Sequence, residues 1–297
     1  MSKRKWALLA AIMVSLIYGV SFTVAKDVMP TYIKPFGFIL LRVFGATILF
    51  WLISFFGSKE KIQQQDFPRI IAAALFGVAL NMLTFFKGLS YTSPISAAVI
   101  MVTTPIIVLI LSAIIMKEKM IKRKIFGILL GLFGTGFLIL YGKSIENAAN
   151  APLGNLLVFI NAVSYAFYLI IVKKLMDKYN AFTFVKWIYT FGLLMVLPFG
   201  WNEYQQIQWT TIPTFILWEI LFVVVFTTFF TYLFNLVSMR ELKPTTVAVF
   251  IYLQPLFATV FAIGLGKDEL TLVKIVSAVL IFVGVYLVTQ KKVGSKQ

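Results

Sequence analysis

The chain has 297 residues, of which 60% are hydrophobic and 13% charged, with a formal net charge of +16. Soluble domains carry roughly a quarter charged residues, so this composition excludes a protein that covers itself with a water-facing surface. The absence of cysteine and histidine excludes disulfides, thiolate chemistry and the usual zinc sites, and leaves any proton coupling to a carboxylate.

Ser2-Lys3-Arg4-Lys5 followed by an apolar run has the look of a secretory signal peptide. The run from Trp6 to Ala25 is too long for one, however, and lacks a small-x-small cleavage site before Lys26. It is therefore the first span. Apolar runs of about twenty residues, the length that crosses a hydrocarbon core, predict ten spans at 6–25, 36–56, 68–88, 94–116, 122–142, 153–172, 182–200, 213–237, 244–266 and 272–290. The expected fold class is an all-α membrane protein.

Ten spans put both termini on one side. The basic residues then distribute 20 to 6, with Lys3 to Lys5, Lys117 to Lys124, Lys173, Lys174 and Lys291 among those on the terminal side; Arg42, inside a span, completes the 27. That bias predicts a multi-pass protein of the cytoplasmic membrane with both termini in the cytoplasm. It also accounts for the positive charge with the lipid bilayer as partner and no nucleic acid.

The stretch from Tyr91 to Leu140 recurs at an offset of 150 residues. Pro94 meets Pro244, Ala98 meets Ala248, Pro105 meets Pro255, Lys117 meets Lys267, Glu118 meets Asp268 and Gly134 meets Gly284. Five spans per unit is an odd number, so the second copy enters the membrane from the other side. The dense basic corner at Lys117 to Lys124 accordingly becomes a charge-balanced one at Lys267 to Lys274. The expected architecture is two inverted five-helix repeats around a central cavity, over 6–142 and 153–290, joined by the polar stretch Gly142 to Pro152. Inverted repeats of this kind serve transport, with a site near the midplane and access alternating by rocking.

At this point the chain resembles the EamA-type members of the drug/metabolite transporter superfamily. The resemblance rests on Tyr18-Gly19-Val20-Ser21-Phe22 with Lys26, Pro35 followed by Arg42, Gly88-Leu89-Ser90-Tyr91-Thr92-Ser93-Pro94, Pro105, Glu118, and Gly127 with Gly134. It implies a ten-helix carrier that often exports amino acids or related metabolites. Two departures stand out: Tyr18 occupies a position where the family often has tryptophan, and Tyr189 lies near the position that matches Arg42.

Polar groups inside spans are costly and mark cavities or partners. Pro105 and Pro255 kink their spans and push away the carbonyls of Met101 and Ile251, either offering acceptors to a substrate or merely shaping the helices. Thr104 and Gln254 precede the kinks and are candidates to line the same place. Asn161, Tyr165 and Tyr168 share one helical face, matched at an offset of 147 by Val14, Tyr18 and Ser21. Asn81 and Phe85 are matched at 150 by Thr231 and Asn235, as cavity stripes or interhelical hydrogen bonds. Arg42, about 9 Å inside its span, needs a partner; Glu219 in the eighth span is the candidate, and the two together are candidate gating residues. Glu118 and Asp268 sit where a carboxylate suits the N-termini of the fifth and tenth spans. Gly127, Gly131 and Gly134 are packing positions.

No Gly-x-x-x-x-Gly-Lys-Ser/Thr loop is present, which disfavours nucleotide-driven pumping. Without a nucleophile–base pair the case for an intramembrane enzyme is weak, and no catalytic residue, metal or cofactor is expected. The leading reading is a secondary transporter of a small-molecule substrate, exporting amino acids or similar metabolites. The alternative is a carrier of nucleotide-linked or cationic drug-like compounds.

Overall fold

The computed structural model describes residues 2–56, 60–92, 94–141, 150–264 and 269–290. Among them ten helices are long and apolar enough to cross a membrane. They are α1 (Lys3–Val28), α2 (Pro35–Ser54), α3 (Gln64–Tyr91), α4 (Ser96–Ile115), α5 (Lys122–Leu140), α6 (Ala151–Met176), α7 (Ala181–Gln205), α8 (Thr214–Glu241), α9 (Pro244–Gly264) and α10 (Leu272–Thr289). The ten predicted spans are all present. The corner at Lys267 and Asp268, and the junction over residues 142–149, lie outside the described residues.

A pseudo-twofold relation governs the packing. α1 packs on α8 and α9, and its counterpart α6 packs on α3 and α4, while α2 pairs with α7 and α5 with α10. Two of the three apolar cores among the described residues span most of these pairs. One joins α2, α3, α6, α7 and α8 through Phe50, Ala74, Leu169, Phe184 and Leu236. The other joins α1, α4, α5, α9 and α10 through Ala11, Leu109, Ile128, Leu256 and Ile281. The α5–α10 pair comes close because both helices present glycine at the crossing: a Cβ on Gly127 would lie 2.8 Å from the Gly284 carbonyl oxygen.

The irregular turns repeat with the sequence. α3 is π-helical at Leu75–Ala79, and α8 at Val223–Phe230, which contains the same positions shifted by 150. α4 breaks between Met101 and Thr104, just before Pro105; α9 tightens into a 3₁₀ turn at Val249–Tyr252, just before Pro255. Proline removes an intrahelical donor, and the preceding turn adjusts.

The acceptors released at these kinks are satisfied within the protein. Thr104 Oγ1 donates to the Met101 carbonyl at 2.6 Å, the acceptor that Pro105 frees. At the second kink Ser15 of α1 donates to the Phe250 carbonyl at 2.8 Å, and Leu253 N–H closes on Ile251 and Phe250. Pro105 and Pro255 therefore shape their helices, the second of the two readings that the sequence leaves open. Thr104, fully buried and spent on its own helix, is corrected as a cavity candidate.

The α2–α7 pair is clamped at both ends by carboxylates. At one end Glu203 of α7 accepts from the N–H groups of Phe36 and Gly37, at 2.7 and 3.0 Å. At the other end Glu60, just past α2, accepts from Asn180 N–H at 2.9 Å and Thr183 Oγ1 at 3.0 Å. Each helix N-terminus has orphan N–H groups and a partial positive charge, and receives its anion from the far end of α7 in one case and from the segment after α2 in the other.

Contacts at one end also tie the even-numbered loops and the termini together. Arg4 donates to the Thr289 carbonyl and Arg123 to that of Gln290, while Lys178 pairs with Asp66. Glu118 accepts from Lys124 and Thr245, each at 2.8 Å. Glu118 thus does not cap α5, whose N-cap is Ile121 without a side-chain bond. That expectation is corrected: the carboxylate joins the α4–α5 corner to the start of α9 instead.

Candidate functional site

The site is built around Arg42 on α2. Its side chain is buried, and Nε donates to Thr228 Oγ1 at 3.0 Å. The rings of Phe38 and Phe86 flank the guanidinium, with centroids at 5.9 and 5.7 Å, within reach of cation–π attraction. Its electrostatic neighbours are the hydroxyls of Tyr18, Tyr189 and Tyr232. Among the described residues no carboxylate pairs with it. The expected Arg42–Glu219 pair is corrected: Glu219 has Asp27 as its charged neighbour, and its Oε2 is buried without a hydrogen-bond partner.

The π-helical turn of α8 positions the rest. In a π turn each residue reaches back five positions, and Thr228 Oγ1 donates to the Val223 carbonyl at 2.8 Å accordingly. That orients its oxygen to accept from Arg42. Beside it Thr227 meets Ser21 of α1 at 2.6 Å, and Thr231 donates to Tyr18 at 3.4 Å. One widened turn therefore carries the contacts to both α1 and α2.

An aromatic wall completes the enclosure. Tyr232 of α8 stands edge-on to Tyr189 of α7 with centroids 5.1 Å apart, and lies 5.9 Å from Tyr168 of α6. Tyr165 is 6.0 Å from Tyr168 and interacts with the Asn235 amide. Such pairs contribute about 0.5–1.5 kcal/mol each beyond area burial. The Tyr232 hydroxyl donates to the Gly77 carbonyl in the π turn of α3. Gly77 has to be glycine, because a Cβ there would meet Tyr168 ring carbons Cδ2 and Cε2, the latter at 2.6 Å. The hydroxyl of Tyr168, almost fully buried, lacks a hydrogen-bond partner, while that of Tyr189 lies against Tyr232. A buried unsatisfied hydroxyl costs about 1–3 kcal/mol.

The structure brings Tyr18, Arg42, Tyr165, Tyr168, Thr231 and Asn235 together around one centre. Phe85 stands one step back, edge-on to Phe86 at 5.3 Å. Asn81 and Asn161 instead bond to each other's backbone across α3 and α6: Asn161 Nδ2 donates to the Asn81 carbonyl at 2.7 Å, and the reverse bond is 3.4 Å. That is the interhelical reading of the pair, although Asn161 Oδ1 stays without a partner. Gln254 is half-buried, with its backbone carbonyl oxygen 2.9 Å from where a Cβ of Gly19, the neighbour of Tyr18, would stand.

Sequence reasoning missed Thr227, Thr228, Tyr232, Phe38 and Phe86. Thr228 and Tyr232 lie one helical turn apart, on either side of the singled-out Thr231. Tyr189, near the position that matches Arg42 in the second repeat, is its neighbour in space, so this pair of positions lies close to the pseudo-twofold axis.

A family model for the EamA-like transporter family matches residues 5–140 and again residues 152–290. The chain belongs to the EamA-like transporter family. Among its relatives, an uncharacterized transporter of Archaeoglobus fulgidus is 27% identical over 97% of this chain and 100% of its own length. The uncharacterized transporter YyaM of Bacillus subtilis is 25% identical over 91% of this chain and 89% of that one. YoaV of the same organism, also an uncharacterized transporter, is 27% identical over 95% and 96%. A crystal structure superposes with a TM-score of 0.75 over 95% of each chain; at 15% identity it speaks to the fold of this EamA-like transporter alone.

Proposed function

We propose that this transporter moves small metabolites that carry a carboxylate, amino acids first among them, by alternating access between its two repeats, and that it exports them across the cytoplasmic membrane with both termini inside. The observation that carries the reading is Arg42. A guanidinium inside a span costs roughly 2.5–3.5 kcal/mol, and this one has a neutral hydroxyl as its hydrogen-bond partner. A substrate carboxylate supplies the missing negative charge in bidentate geometry. The orphan hydroxyl of Tyr168 adds hydrogen-bonding capacity, and the tyrosine faces attract the ammonium of a zwitterion by cation–π interaction.

Arg42 argues against permanent cations as substrates, and a nucleotide's several negative charges call for more cations than this one. The basic bias of 20 to 6 supports the orientation. Export is the direction implied by the resemblance.

The test is counterflow in proteoliposomes with radiolabelled amino acids, each competed by its unlabelled free acid and its methyl ester. Free acids should compete, and their esters, which lack the carboxylate charge, should lose at least tenfold in potency. Equal competition by esters or by quaternary ammonium compounds would sink the reading. Loading from inside against outside gives the direction.

A further inference from the structure

Another built feature lies far along the chain from Arg42, at the end of the bundle that carries the amino terminus. A cavity of about 380 Å³ opens there, with Lys117, Lys119, Lys173 and Lys243 around it and Met116 and Ile121 as its apolar part. Cavities of roughly 300–1,000 Å³ accommodate small ligands.

The charges do not cancel. Glu118, which also lines the cavity, is almost buried and already engaged: Lys124 pairs with it at 2.8 Å and Thr245 donates to its other oxygen at 2.8 Å. Lys243 reaches it only at 3.7 Å, with its side chain 63% exposed. Lys173 is paired with Asp177 at 2.9 Å. Lys117 and Lys119 are exposed and form no ion pair among the described residues. Lys117 and Lys119 therefore bring two unpaired ammonium groups, and Lys243 a loosely held third, to a cavity whose one carboxylate is already engaged.

The corner is also held in an unusual shape. Lys117 has φ of 52°, the left-handed region that a residue with a Cβ rarely adopts. The flanking N–H groups of Met116 and Glu118 both donate to the Ser112 carbonyl, each at 3.1 Å. This is a Schellman-type close to α4, in which the left-handed residue after the cap turns the chain sharply. Immediately before and after the corner, Ile114, Ile115 and Met120 expose apolar side chains, so the cavity sits where hydrocarbon gives way to water.

We infer that this cavity binds a phosphate group, and that the exposed apolar rim favours the headgroup of an anionic lipid as its source. A compact cluster of ammonium groups suits phosphate as a set of point charges, and lysines at the membrane surface attract anionic lipid. Lys117 and Lys119 belong to the first family match, Lys173 and Lys243 to the second. A phosphate seated between them ties the two repeats together at this end, beside the Glu118–Thr245 bond.

The experiment measures lipid binding to the purified full chain in neutral detergent, by native mass spectrometry and by the rise in melting temperature. The probes are phosphatidylglycerol, phosphatidylcholine, glycerol 3-phosphate and inorganic phosphate. A triple variant, Lys117→Gln with Lys119→Gln and Lys243→Gln, is compared with a control triple, Lys5→Gln with Lys61→Gln and Lys174→Gln. About fivefold per lysine predicts a loss of about a hundredfold in phosphatidylglycerol affinity for the first triple and less than fivefold for the control. Lys→Arg at the same three positions should keep the affinity, which separates lost charge from lost folding. Protection by glycerol 3-phosphate or inorganic phosphate equal to that by phosphatidylglycerol upholds the phosphate site and assigns it to a soluble source. Equal binding of phosphatidylcholine, or equal losses in the two triples, overturns the inference.

Discussion

Replacing Arg42 by methionine separates a binding role from a structural one, because the two predict different stability changes. Methionine keeps much of the length and apolar volume and removes the charge. The substitution forfeits the charged hydrogen bond to Thr228, worth about 1.5–3 kcal/mol, and two cation–π contacts, worth about 0.5–1 kcal/mol each. Against this it removes a guanidinium whose placement inside a span costs roughly 2.5–3.5 kcal/mol. The two sides nearly cancel. The melting temperature in detergent should therefore move by less than about 5 °C, taking about 2–4 °C per kcal/mol for a large domain. Counterflow of the carboxylate substrate should fall at least a hundredfold, since the partner of its charge is gone. If Arg42 instead completes a structural ion pair, its removal strands a buried charge and costs about 3–5 kcal/mol. A drop of 10 °C or more, or counterflow kept within threefold of the original, would refute the account.

The remaining predictions concern the scaffold around the site. Gly77→Ala forces its Cβ into the Tyr168 ring and should destabilise by about 1–3 kcal/mol; adding Tyr168→Phe should not relieve it, because the colliding atoms are ring carbons, and thermal melts of both variants decide. Glu203→Ala and Glu60→Ala each strip the carboxylate from a helix N-terminus and should cost about 0.5–2 kcal/mol apiece, with near-additive effects in the double variant because they act at opposite ends. Burial pushes the Glu118 carboxyl up, but the hydrogen bond and charge of Lys124, with Thr245 and Lys243, outweigh it and hold the group below its usual value of 4.5. A depressed carboxyl contributes stability that is fully present above the unfolded value and disappears as pH falls through the folded one. Melting temperature should thus drop from about pH 4.5 downwards, and Glu118→Gln should flatten that part of the profile. Lys178 has the opposite sign: its hydrogen bond to Asp66 raises its pKa above 10.5, so its contribution holds below that value and fades as pH rises through the folded one.

Composition alone settled the membrane class, because a chain so poor in charge has no way to cover itself in water. The ten spans followed from run length and the repeat from the register of Pro94, Pro105, Lys117 and Gly134 with their partners. All of these are properties of local sequence, which the bilayer constrains strongly by forbidding unpaired backbone. Tyr18, Arg42, Tyr165, Tyr168, Thr231 and Asn235 could be named from the sequence because a polar group in a span is conspicuous.

Which of those groups meet was decided by tertiary structure. The offset of 150 matched Asn81 with Thr231, and one helical face grouped Asn161 with Tyr165, yet the two asparagines close on each other across α3 and α6 while Thr231 and Tyr165 lie beside Tyr18. Thr104 looked free, but a proline kink leaves a carbonyl that the nearest hydroxyl takes. Glu219 lies at a suitable depth for Arg42, but depth along the membrane normal says nothing about azimuth around the helix, and its charged neighbour is Asp27 rather than Arg42. The π turns at Leu75–Ala79 and Val223–Phe230 shift that azimuth again for residues beyond them. An extra residue per turn rotates the helix face in a way that 3.6-residue periodicity cannot anticipate, and that rotation is what sets Thr228 against Arg42.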